Sequence, residues 1–460
     1  MQIYDSLAGE KRPFVPLVEG QVGIYVCGMT VYDYCHIGHA RVMVAFDVIV
    51  RYLRALGYRV TYVRNITDVD DKIFQRANER GIPFSALTAE FIDAMHQDEA
   101  SLGLVPPDLE PAATRHMPDI IRMVARLLER GYAYQANHGD VYFRVRQFAP
   151  YGRLSNRNLD DLQAGARVAV DDAKEDPLDF VLWKAAKPGE ASWESPWGPG
   201  RPGWHIECSA MSMSALGETI DIHGGGPDLK FPHHENEIAQ SEAATGKPFA
   251  SYWMHAGAVR VDGEKMSKSL GNFFTIRDVL KHHDAETIRY FLVSSHYRSP
   301  IQYSTSALGA ARQALERLYT TLRDSPPESG EGSGRQQAAP FVERFHRAMA
   351  DDFNTPEALA VLFELAREVN RDKGSAEARR LSHQLRILAQ LLGLLQADPE
   401  RFLQSDPDID DHEVRSLIEA RALARSQKNW ARADAIRDEL KARGVVLDDG
   451  RHGTTWHRAR

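Results

Sequence analysis

Two short segments far apart in the chain carry side chains suited to a polyphosphate. Lys265-Met266-Ser267-Lys268-Ser269 puts two ammonium groups and two hydroxyls on a short stretch followed by Gly271, the composition of a loop that closes over phosphates and reopens. His36-Ile37-Gly38-His39 sets two imidazoles around a glycine. If a strand gives way to a helix there, backbone N–H groups and both rings face one anion. Either segment alone is equally a basic surface loop or a helix start with stray histidines. A third group is dense in metal-capable residues: Gly203-Trp204-His205-Ile206-Glu207-Cys208 and the stretch from Asp221 to Glu237. If Pro232 opens a helix, His233 and Glu237 share one face at i and i+4, while His234 and Glu235 point elsewhere. With Cys27 and Cys208 they form a set of two thiolates, one imidazole and one carboxylate that suits zinc. On spacing alone, two buried thiols and a solvated helix start account for the same residues, because no CxxC anchors the set.

These groups need elements to position them. Gly23 to Cys27 reads as a short buried strand, and His39 to Leu56 has apolar residues at Val42, Phe46, Ile49, Val50 and Leu53, a helical period. Tyr58 to Val63 alternates and is β-branched, so it reads as a second strand. Strand, turn, helix, strand is a βαβ unit, and ligands in an open parallel sheet sit beyond the carboxyl ends of the strands, where Cys27 and the His36 turn fall. Four protein ligands ordinarily close a structural zinc, so a metal beside that crevice has to accept a fifth.

Taken together, Cys27 ahead of His36-Ile-Gly-His39, Gly203 to Met211, His223 to Glu237, the Lys265 segment and Asp351-Asp-Phe-Asn-Thr-Pro-Glu-Ala-Leu359 resemble the bacterial cysteinyl-tRNA synthetases, a family of class I aminoacyl-tRNA synthetases. The likeness runs over essentially the whole chain. It implies an α/β architecture with a Rossmann-type catalytic domain, a connecting insertion, a helical bundle and a small C-terminal domain. It also implies one zinc per chain on Cys27, Cys208, His233 and Glu237, binding the substrate thiolate. ATP with Mg²⁺ and L-cysteine would form cysteinyl-adenylate, and tRNA(Cys) would take the acyl group. Lys268 is the expected main phosphate cation, assisted by Lys265 with His36 and His39 as donors. Gly38, Asp228 and Lys268 are the expected nucleotide contacts, Asp228 reaching ribose past three glycines. Trp204 and Thr30 are the expected contacts to the amino acid. For Trp204 and Asp228 a structural role is the alternative.

The expected domains are 1–114 and 200–275 as the two halves of the sheet domain, 115–199 as the insertion and 276–324 as a stem-contact helical region. A linker over 325–340, a bundle over 341–404 and an anticodon-binding domain over 405–460 follow. Net charge is −8, unfavourable for a phosphate-binding surface, but His412 to Arg460 holds eleven basic and seven acidic side chains. Trp430 and Trp456 in that tail offer stacking faces for unpaired bases, core packing of Trp430 being the alternative. Three cysteines argue against a disulfide framework and for a reducing compartment. No signal peptide or membrane-spanning segment is visible, so the expected address is the cytoplasm. The expected oligomeric state is a monomer. Two other functions compete: a cysteine ligase acting on an amino-sugar, as in the mycothiol pathway, and a non-catalytic zinc- and RNA-binding protein. The basic tail argues against the first and the phosphate-closing loop against the second.

Overall fold

The structure is a computed structural model that describes residues 1–159, 174–187, 190–261, 263–265, 273–328, 333–404, 411–442, 444–450 and 453–458. Lys268 and residues 405–410 at the start of the expected anticodon-binding domain lie outside them, and Lys265 is described by its backbone. A hairpin of β1 (Gln2–Asp5) and β2 (Glu10–Pro13) precedes β3 (Gln21–Val26), α1 (Ile37–Ala55) and β4 (Arg59–Arg64). The βαβ unit read from the sequence is therefore present, β3 and β4 pairing in parallel register. Helices α2 (Asp71–Arg80) and α3 (Phe84–Ser101) lead to α4 (Met117–Glu129) and the insertion.

Among its described residues the insertion carries a four-stranded antiparallel sheet of β5 (Ala133–Gln135), β6 (Val141–Phe143), β7 (Phe180–Ala185) and β8 (Gly200–Pro202). Its last strand extends past the expected boundary at Pro199, since β8 pairs with β7. The chain returns through α5 (Trp204–Leu216), β9 (Ile220–Gly225), α6 (Glu235–Thr245) and β10 (Ala250–His255).

The central sheet runs β10-β9-β3-β4, all parallel. From β3 the chain turns to β4 on one side, while β9 lies on the other, so the strand order reverses between β3 and β9 and a crevice opens at their carboxyl ends. Alternation sorts the strands' side chains onto two faces. Ile24, Val26, Ile222, Tyr252 and Met254 pack with α1 in one core, and Tyr25, Cys27 and Trp253 pack with α5 and α6 residues such as Ile206, Cys208 and Ile238 in another. Gly224 faces α1, where a Cβ would come within 2.1 Å of Phe46, so only glycine lets that helix close on the sheet.

Beyond the sheet, β11 (Val259–Val261) pairs with β12 (Glu264–Lys265) and, in parallel, with β13 (Ile301–Tyr303). Helices α7 (Ile276–Leu280) and α8 (Ala285–Val293) precede β13 in the chain, and α9 (Thr305–Asp324) follows it. The bundle follows as α10 (Ser333–Ala350), α11 (Thr355–Arg371), α12 (Ala376–Leu391) and the short α13 (Pro399–Gln404). Helix α10 begins inside the expected linker 325–340: Ala338 and Phe345, at i and i+7, are buried on one helical face, and that apolar spacing prevails over the Gly/Ser-rich composition upstream. Asn354 caps α11 with Pro356 in its first turn, the stop-and-start expected there.

The C-terminal unit has two helices, α14 (Asp411–Ser426) and α15 (Trp430–Ala442), followed by a hairpin of β14 (Val445–Gly450) and β15 (Gly453–Arg458). Its own core holds Val414, Ile436, Leu440, Val445 and Trp456. Trp456, expected to stack on bases, is instead a core residue at 3% exposure, whereas Trp430 is 59% exposed. Among the described residues no helix is long and apolar enough to cross a membrane.

Candidate metal and nucleotide site

Cys27 follows β3 directly and inherits the orientation of Tyr25 two residues earlier, toward α5 and α6. Cys208 sits in α5, His233 in the turn before α6, and Glu237 in the first turn of α6. Ligand atoms of these four residues lie within 4.8 Å of one another, all buried. Cys27 Sγ is 3.5 Å from His233 Nε2 and 3.3 Å from Glu237 Oε1, and His233 Nε2 is 3.0 Å from the same carboxylate oxygen, so the i, i+4 relation read from the sequence is met. His234 turns to His255, Nδ1 to Nε2 at 2.8 Å. Glu235 turns to the insertion, where it accepts from the backbone N–H of Gly152, Leu154 and Ser155 and from the Ser155 hydroxyl.

A second set, Cys27, His223, His234 and Glu237, is equally compact. The two share a thiol and a carboxylate, and donor chemistry separates them. The Cys208 set brings two soft thiolates, and its imidazole has its other nitrogen fixed: His233 Nδ1 lies 2.8 Å from His205 Nδ1, the outer-shell contact that orients a ligating histidine. It also faces the opening, since Trp204, 39% exposed, stacks on His233 at 4.3 Å. His223 and His234 are instead enclosed against Trp253.

The electrostatics of the cluster follow from its dryness. Burial pushes the Cys27 thiol well up, helped by Cys208 and Glu237. Burial acts the same way on Cys208, but its hydrogen bond with Cys27 and the neighbouring His233 outweigh it and bring the thiol down to about 6. His233, against its own burial, is raised to about 10 by Glu237 and Cys208. Negative donors therefore gather around one bound proton, the charge that a divalent metal replaces on binding. Glu237 Oε2 fits that reading: it is fully buried and, among the described residues, has no hydrogen bond, His223 Nε2 lying at 3.3 Å.

The nucleotide-binding expectations fall around the same crevice. His36 caps α1, its ring accepting from the N–H of Gly38 at 3.0 Å and of His39 at 3.3 Å, while the His36 N–H donates to His39 Nδ1. The N–H groups of Gly38 and His39, expected to face an anion, thus donate to the cap. The two rings stack at 3.7 Å. Thr30 is half-buried and bridges to Thr67. Asp228 lies exposed in the turn after β9, its carboxylate beside Gly226. Lys265 ends β12, opposite Arg260 in the register. His205 and His223 lie in the metal-capable stretches of the sequence but outside the expected ligand set, and His255 and Tyr25 carried no expectation for this site. Strand alternation was the available signal for two of them: Tyr25 and His223 are register partners on the Cys27 face.

Residues 13–313 match the family described as tRNA synthetases class I (C) catalytic domain, residues 344–396 the DALR domain, and residues 406–456 the cysteinyl-tRNA ligase anticodon binding domain. A cysteine-tRNA ligase from Chromohalobacter salexigens is 63% identical over 461 residues, covering 99% of each chain, and one from Ectopseudomonas mendocina is 62% identical over 466 residues, covering 100% of this chain and 99% of the relative. A Mycobacterium tuberculosis methionyl-tRNA synthetase in complex with methionyl-adenylate superposes with a TM-score of 0.59 at 15% identity, over 84% of this chain and 91% of that one. The LeuRS of Agrobacterium radiobacter K84, in a ternary complex with tRNA, gives 0.60 at 14% identity over 85% of each chain. These two likenesses show a shared fold.

Proposed function

The chain belongs to the cysteine-tRNA ligases, a family of class I aminoacyl-tRNA synthetases, and from that premise we propose how its residues perform the ligation. The cysteine carboxylate attacks the α-phosphorus of ATP, giving cysteinyl-adenylate and pyrophosphate. A terminal ribose hydroxyl of tRNA(Cys) then attacks the acyl carbon and releases AMP. Holding the reactants in line and offsetting developing negative charge carry most of such catalysis. Lys268 is assigned to the phosphates, assisted by Lys265 and by the stacked His36 and His39 at the start of α1. Asp228 is assigned to the ribose. Gly38 keeps the helix start slender where the nucleotide passes. Trp204 and Thr30 flank the cysteine side chain. Mg²⁺ accompanies ATP as part of the substrate.

Cys27, Cys208, His233 and Glu237 would hold a zinc ion. When bound, that ion would lower the thiol pKa of the substrate and hold its thiolate. The chain's own contribution is a dry, preorganised donor set, with His205 fixing the ring of His233 and Trp204 limiting water on the open side. The observation that carries this reading is the convergence of four donors from distant parts of the chain at the end of β3, beside the start of α1. The anticodon-binding match over residues 406–456 supports tRNA as acceptor rather than an amino-sugar.

The test is metal analysis of purified protein together with pyrophosphate exchange for each amino acid. About one zinc per chain and exchange confined to cysteine support the assignment, whereas active, metal-free protein overturns the role of the donor set.

A further inference from the structure

Arg41 lies one helical turn beyond His36 and is 2% exposed. Among the described residues it has no carboxylate partner. Its guanidinium instead donates to backbone carbonyls: Leu292, Ser295 at 3.4 Å, His296 at 2.5 Å and Ser299 at 3.2 Å. A buried cation without a counter-ion is costly. The end of α8 offsets part of that cost, because its last carbonyls carry the negative end of the helix dipole.

The turn that Arg41 grips is held from two further sides. Gly257 N–H donates to Tyr297 O at 2.7 Å, and a Cβ on Gly257 would come within 2.1 Å of Ser299 O. From the bundle, Asp352 accepts from the Tyr297 hydroxyl at 2.8 Å and from Arg298 Nε at 2.7 Å, and it also takes the N–H of Tyr4 at 2.9 Å. Directly after this turn comes β13, whose partner β11 pairs in turn with β12, the strand that ends at Lys265. The downstream side of the lysine segment is fastened to the same helix start, since Ile37 N–H donates to Phe274 O and Thr275 bridges to His36.

We propose that Arg41 is a positioning residue for adenylate formation: its carbonyl clamp fixes the strand leading into the lysine segment at a set distance from the start of α1. Downstream the segment is tied to α1 directly. Upstream the tie runs through β12, β11, β13 and the gripped turn to Arg41. This inference rests on reading His36 to His39 and the lysine segment as the nucleotide-binding elements.

The experiment is a double-mutant cycle in cysteine-dependent pyrophosphate exchange, using Arg41→Met, Arg41→Lys, Lys268→Ala and Arg41→Met/Lys268→Ala. A misplacement of about 1 Å costs on the order of 10²-fold in rate. Arg41→Met is therefore expected to lower kcat by roughly that factor, with the KM for cysteine within about 2-fold and the melting profile retained. Arg41→Lys should recover part of the rate. In the Lys268→Ala background the same Arg41→Met change should cost less than about 3-fold, because residues acting as a unit are not additive.

Full additivity, or no loss in Arg41→Met, overturns the proposal while leaving the lysine reading intact. If Lys268→Ala itself keeps the wild-type rate, the lysine reading fails and the proposal falls with it. Should Arg41→Met not fold, Gly257→Ala displaces the same turn from the opposite side and is held to the same pattern.

Discussion

At the scale of single residues, the site is decided by which way Cys27 points. Had β3 ended one residue earlier or later, alternation would have turned that thiol into the α1 core and away from Cys208. The sequence named the four donors through family resemblance, and spacing alone could not, because nothing local links Cys27 to Cys208. The histidines behind them stayed hidden: His205 sits beside Trp204 in a helix start, and its contact with His233 is purely tertiary. Removing that contact by His205→Ala is expected to weaken metal affinity by about 10- to 100-fold, measured by competition with a chelator, and unchanged affinity would show that His233 needs no such support. Cys208→Ala should lose both metal and cysteine activation while staying folded, checked by metal content, exchange and circular dichroism. Serine matches cysteine in shape, so rejection by at least ~10⁴ in kcat/KM is expected from a site built around the thiolate and would be missing from a merely apolar pocket.

At the scale of elements, the order strand, helix, strand was legible because apolar periods of 2 and 3.6 are local signals. What escaped was packing between elements. Glu235 shows this well: in sequence it is one acid among several, yet in the fold it is fully buried and binds three backbone N–H groups of the insertion's loop. Glu235→Ala leaves those donors unpaired, at about 1–3 kcal/mol for a neutral group and more where the lost partner is charged. Hydrogen exchange should therefore accelerate around residues 152–155 before it does in the central sheet.

Helices α3 and α7 meet through another buried acid. Burial pushes Asp98 up to about 6, against the pull of Arg277 at 2.9 Å. The folded state therefore holds the proton at higher pH than the unfolded chain does, and stability falls as pH rises from about 4 to 6. Asp98→Asn removes that dependence. Relative to the parent, the variant should gain on the order of 1–2 kcal/mol between pH 4 and 7 in denaturant unfolding. A constant difference across that range would show that Asp98 is ionised throughout.

At the scale of the whole molecule, the proposed site and the stretch that matches an anticodon binding domain have separate cores. The C-terminal unit packs Trp456 with Val414, Ile436, Leu440 and Val445, apart from the clusters that hold the sheet. Composition made the tail's charge legible, but not which tryptophan is buried, because a strand places Trp456 inward while Trp430 opens a helix at the surface. Deleting residues 405–460 is expected to leave cysteine-dependent exchange nearly unchanged and to cut tRNA charging severely. Charging by the full chain should weaken with salt while exchange does not, because phosphate contacts are lost to counter-ions. In the proposed function, the donor set at Cys27 reads the substrate's sulfur through a bound metal. Cobalt can replace zinc and reports sulfur ligation by charge-transfer absorption. Adding cysteine to the cobalt-loaded protein should strengthen that absorption, whereas serine should leave it unchanged, and an active cobalt enzyme whose spectrum ignores cysteine would contradict the claim.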